Sequence, residues 1–112
     1  MAKYTTTLKG KFYDVLNSIH TELMNSSASI SYEEHEDFSN GDVRCAVNVY
    51  ERYSYFGGNR CSLTLTLFGN DDNIHLTAIT SGGSQAIFFK INTIGENSFL
   101  NVLIEIVEKM KM

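Results

Sequence analysis

The sequence predicts an α+β fold: a two-layer sandwich whose mostly antiparallel meander sheet, of five or six strands, carries an N-terminal helix and a long C-terminal helix on one face. Three observations predict it. Apolar residues recur with helical period near both ends, at Phe12, Leu16, Ile19 and Leu23 and again at Phe99, Leu103, Ile106 and Met110. Between these stretches the period drops to two, most cleanly at Cys61, Leu63, Leu65 and Leu67. Short turns of Gly, Asn and Asp join the alternating runs, which makes consecutive strands antiparallel neighbours.

The elements follow in order. Tyr4 to Leu8 alternate weakly and read as a short first strand, helped by the extended preference of threonine. Lys11 to Asn25 form the first helix, with Val15 beside the apolar stripe, and Asn25-Ser26-Ser27 end it by competing for backbone hydrogen bonds. Ala28, Ile30 and Tyr32 alternate with serines as a strand, followed by the acidic run Glu33-Glu34-His35-Glu36-Asp37. Asn40-Gly41-Asp42 is a hairpin turn. The strand from Val43 to Phe56 is expected to turn Val43, Cys45, Val47 and Val49 to the core and Arg44, Ala46, Asn48, Tyr50 and Arg52 to a half-polar outer face.

Gly57-Gly58-Asn59 turns the chain into the strand from Arg60 to Phe68. After the polar turn Gly69 to Asn73, Ile74, Leu76, Ala78 and Thr80 face inward and His75, Thr77 and Ile79 outward. Ser81-Gly82-Gly83-Ser84 breaks that strand, and the dense apolar run Ala86 to Ile91 reads as the last one, buried on both sides or at an interface. Thr93-Ile94-Gly95-Glu96 matches a capping box opening the final helix, and Lys109 and Lys111 carry the sign that suits its C-terminus. By element order, a long terminal helix across such a sheet is the helix-grip or TBP-like arrangement.

Composition bounds the rest. A chain of 112 residues suits one hydrophobic core, hence a single domain over 1–112. Net charge −4 argues against a nucleic-acid partner. Cys45 and Cys61 sit within apolar alternation as reduced buried thiols, a disulfide between neighbouring strands being the alternative. No CxxC or Cys/His cluster supports a zinc site, and no cofactor motif is present. The N-terminal residues lack a signal-peptide core, and no apolar run is long enough to span a membrane, so the expected location is the cytoplasm.

The stretch YERYSYFGGNRCSLTLTLFG followed by HLTAITSGGSQAIFFKINTIGE resembles a family of small uncharacterised single-domain proteins of Gram-positive bacteria, a domain of unknown function. The resemblance is strongest at Gly57-Gly58-Asn59-Arg60 and at Thr80 to Gln85. It implies a bacterial, intracellular origin and transfers no activity, cofactor or catalytic residue.

Candidate sites come from the residues. Ser81, Gly82, Gly83, Ser84 and Gln85 offer backbone amides to an anion or form a purely structural turn. Arg44, Arg52 and Arg60, with Tyr50 and Phe68, compose a basic and aromatic patch for a small anionic ligand, or an ordinary solvated face. Tyr50, Tyr53, Tyr55, Phe56, Phe68, Phe88 and Phe89 are candidate interface residues. The acidic run around His35 reads as a solvated strand end, and no catalytic residue or metal ligand can be named. The expected function is a non-catalytic cytoplasmic binding or interaction protein that self-associates, a dimer being favoured. The alternative is a binder of small anionic ligands, or a weak enzyme, with a pocket between sheet and C-terminal helix.

Overall fold

The computed structural model describes residues 1–53, 60–82 and 89–111, with 89–95 described for the backbone alone. The elements run β1 (Ala2–Leu8), α1 (Phe12–Ser26), β2 (Ile30–Asn40), β3 (Val43–Tyr53), β4 (Arg60–Gly69), β5 (Ile74–Gly82) and α2 (Phe89–Met110). The five strands form one open antiparallel sheet in the order β1-β5-β4-β3-β2. The chain is therefore α+β with a helix near each end, as the hydrophobic periods require.

Both helical stripes are buried as their spacing predicts: Phe12, Val15, Leu16, Ile19 and Leu23 on α1, and Phe99, Leu103, Ile106 and Val107 on α2. They pack on the alternating leucines of β4 (Leu63, Leu65, Leu67) and on Ile74, Leu76 and Ala78 of β5. A sheet face lined by leucine cannot stay wet, so both helices lie on that face. No side chain caps α1 from its own N-cap, Lys11; instead Asp71 in the β4–β5 turn accepts a hydrogen bond from the Phe12 N–H at 3.2 Å. The β2–β3 hairpin closes with Asn40 opposite Val43 and with Gly41 at φ 62°, a left-handed position glycine adopts without steric cost. At the far edge, the Tyr4 hydroxyl donates to Glu108 and the Lys111 ammonium to Thr6, fixing β1 to the last turn of α2.

Three expectations need correction. First, β3 faces the other way. Ala46, Asn48 and Tyr50 are buried under the helices, whereas Val43 is exposed and Cys45, Val47 and Val49 are half-exposed. Register decides this: Ala46 pairs with Leu67, Asn48 with Leu65 and Tyr50 with Leu63, and the β4 leucines hold the stronger claim on the core. Second, Phe89–Ile91 are helical, so no strand runs through to Ile91; Ala86 to Phe88 lie outside the described residues. Third, α2 starts before Thr93, so Thr93 is not its N-cap. The Glu96 side chain instead accepts from the Gly82 N–H at 2.6 Å and meets the Met1 ammonium at 2.9 Å. These tertiary contacts outweigh the poor helix propensity of Thr93 and Gly95.

Both cysteines are free: Cys61 is buried on the helix-covered face and Cys45 stands half-exposed on the other. Burial pushes the Cys61 thiol pKa up, and the nearby Glu96 carboxylate adds to the rise, so this thiol stays protonated.

Candidate functional site

Two surfaces carry the functional questions: the sheet face without helices, and a groove on the other face between α1 and β2.

The uncovered face follows from the register. One row across the sheet reads Lys3, Ile79, Thr64, Val49, Glu34; the next reads Thr5, Thr77, Thr66, Val47, Glu36; a third reads Thr7, His75, Phe68, Cys45, Phe38. Valine, threonine and aromatic residues fill the middle of these rows. Phe38 is 60% exposed, Phe68 50% and Ile79 37%. Charge collects at opposite edges. The β1 edge carries Lys3, with Lys9 and Lys11 beyond it, while the β2 edge carries Glu33, Glu34, Glu36 and Asp37.

The groove is built by a β-bulge. Ser31 and Tyr32 pair with Glu51 and Tyr50, but the register then shifts so that Glu34 opposes Val49. The extra residue at Glu33 breaks the alternation, so His35 and Asp37 join Tyr32 on the helix side. Across from them, α1 presents Tyr13, Leu16, Asn17 and His20, and β3 supplies a floor of Ala46 and Asn48. The groove has a volume of about 280 Å³.

A directional hydrogen-bond chain runs beneath it. The Tyr32 hydroxyl donates to Asn48 Oδ1 at 3.4 Å, and Asn48 Nδ2 donates to the Tyr50 hydroxyl at 3.0 Å. Burial pushes Tyr50 up to about 12, so the phenol keeps its proton at neutral pH. The same hydroxyl also makes a hydrogen bond with His20 Nδ1 at 2.8 Å. The rings stack in series, His35 on Tyr32 at 5.4 Å and Tyr32 on Tyr50 at 5.3 Å between centroids, and His20 meets Tyr32 edge-on at 4.6 Å. Among the described residues no buried side-chain nitrogen or oxygen lacks a partner.

The sequence-predicted candidates are dispersed. Arg44 and Arg52 are on the helix side, where Arg44 pairs with Asp71 and lies 5.3 Å from the Tyr13 ring centroid, and Arg52 lies 4.8 Å from that of Phe99. Arg60 stands on the uncovered face, 3.0 Å from Glu51. Tyr50 is fully buried, while Phe68 and Tyr53 belong to the uncovered face and are exposed. The Ser81 carbonyl accepts from the Ser62 hydroxyl at 3.3 Å, and the Gly82 amide is engaged by Glu96. Gly83, Ser84, Gln85, Tyr55, Phe56 and Phe88, together with the side chain of Phe89, lie outside the described residues.

Sequence reasoning missed His20, Tyr32, His35 and Asn48 as a group. The one available signal was Asn48 alternating with Ala46 and Tyr50, a polar residue in an otherwise buried set. Among the described residues, no cluster of three His, Cys, Asp or Glu side chains is placed to hold a metal ion. No described helix is long and apolar enough to cross a membrane.

The sequence model of a family of unknown function, DUF6054, matches residues 1–111, in agreement with the resemblance to a small uncharacterised family. No curated protein and no solved structure matches the chain.

Proposed function

The chain belongs to the DUF6054 family, whose function is not assigned, and from its geometry we propose that it is a non-catalytic binding protein that pairs with a second copy of itself through the uncovered face of its sheet. The observation that carries this is the outward set Val43, Cys45, Val47 and Val49 on β3 beside Phe38, Phe68 and Ile79. An edge or face left to water would be expected to carry polar residues at such positions.

Size supports a second copy as the occupant. Five strands about 4.8 Å apart and some seven residues tall project on the order of 600 Å² per copy, or ~1,200 Å² for a pair, at the threshold of a stable interface. Charge supports it too, because Lys3 and Glu34 occupy opposite ends of one row. The order β-α-β-β-β-β-α with a long closing helix favours the finer helix-grip, TBP-like reading of the fold. A bacterial cytoplasmic setting fits the two free thiols.

Sedimentation equilibrium tests the pairing. The wild-type chain is expected at twice the monomer mass, and Val47→Glu, which plants a charge mid-face without touching the helix layer, at the monomer mass with unchanged circular dichroism. A wild-type monomer at millimolar concentration overturns the proposal.

A further inference from the structure

We propose that the groove between α1 and β2 binds a small aromatic amine in its protonated form. Its volume of about 280 Å³ sits at the small end for ligand sites and suits a one-ring molecule. Leu16, Ala46 and the Tyr13 ring give it an apolar side against which a ring can lie. Asp37, which the bulge turns to the helix side opposite Ala46, lines the same groove, and among the described residues no ion pair reaches its carboxylate.

The surroundings select the charge. Arg44, the cation beside Tyr13, is held by Asp71 and so leaves the Asp37 carboxylate unneutralised. The Nδ1 of His20 is already engaged by the Tyr50 hydroxyl at 2.8 Å. An ammonium is therefore favoured here and an anion repelled. Asn48, only 5% exposed, spends one amide hydrogen on Tyr50 and one lone pair on Tyr32. Its remaining hydrogen and lone pair suit a polar ring substituent. This inference stands on the helix-covered face and does not depend on pairing through the other one.

Benzylamine, protonated at neutral pH, tests it by nuclear magnetic resonance titration of the isotope-labelled full chain. Benzyl alcohol serves as the neutral isostere, and Nα-acetyl-lysine methylamide as an amine carried on a peptide. Saturable shifts are expected for benzylamine at Tyr13, Tyr32, Ala46 and Asn48, with benzyl alcohol weaker by about tenfold. Asp37→Asn, at an exposed position, is expected to weaken benzylamine about fivefold while leaving the melting temperature unchanged. Failure of benzylamine to saturate, equal binding of the alcohol, an Asp37→Asn variant that binds like wild type, or tighter binding of the lysine derivative would each overturn the proposal.

Discussion

Tyr50 shows how one residue ties packing to protonation. Its ring is fully buried, and its hydroxyl is held between Asn48 and His20. An unfolded tyrosine releases its proton near pH 10, whereas burial pushes Tyr50 up to about 12. Between those values the folded chain binds the extra proton, so stability falls as pH rises from about 10 through about 12, and below pH 10 the contribution is fully present. A shift of that size corresponds to roughly 2–3 kcal/mol. Urea midpoints measured from pH 8 to 12 should fall more steeply for wild type than for Tyr50→Phe, which lacks the titrating group. At neutral pH the same variant should lose about 1–2 kcal/mol, because the Asn48 amide and His20 lose their shared partner. Parallel alkaline slopes for the two proteins would refute the assignment.

At the scale of elements, the β4–β5 turn does more than reverse the chain. Asn70 Oδ1 accepts from the amides of Asp72 at 2.8 Å and Asn73 at 3.0 Å, so the turn is braced from within. Gly69 sits at φ 149°, and a Cβ there would come within 2.1 Å of the Asn73 carbonyl oxygen. Gly69→Ala should therefore cost about 2–3 kcal/mol by thermal or urea denaturation. Asp71→Ala should cost about 1–2 kcal/mol, since it removes both the cap of α1 and the partner of Arg44. The charge-neutral Asp71→Asn should recover part of the capping loss, and a full loss in both variants would assign the effect to Arg44 instead.

These cases mark what can be read from the chain. The stripes of α1 and α2 and the leucines of β4 were legible because burial there is one-sided and periodic. The facing of β3 was not, because four outward positions are as apolar as a core and the inward Asn48 and Tyr50 are tolerated through hydrogen bonds to each other, to Tyr32 and to His20. The groove was hidden for a related reason. His35 stands among acidic residues in the sequence, and the bulge that turns it toward Tyr32 is a register shift without a residue signature of its own.

For the whole molecule, register and charge together select how two copies can pair. Lys3, Ile79, Thr64, Val49 and Glu34 form one row from the β1 edge to the β2 edge. A face-to-face pair whose two-fold axis runs along the strands keeps each residue at its own height and exchanges the two edges. Lys3 of one copy then lies over Glu34 of the other, twice per pair. An axis across the strands would set β1 over β1 and β2 over β2, opposing like charges. The sheet twist rotates aligned faces by about 30°, a displacement a lysine side chain can span. Lys3→Glu alone should weaken dimerisation by about three- to tenfold, and so should Glu34→Lys alone, because each sets like charge against like at both edges. The double variant Lys3→Glu/Glu34→Lys should return to near wild-type affinity. Because exposed pairs are screened, the penalty in the single variants should shrink as salt rises toward 1 M. Sedimentation equilibrium across that salt range reads all three outcomes. Single variants that weaken dimerisation without rescue in the double would reject the axis along the strands, and a wild-type dimer indifferent to either charge would place the contact away from these edges.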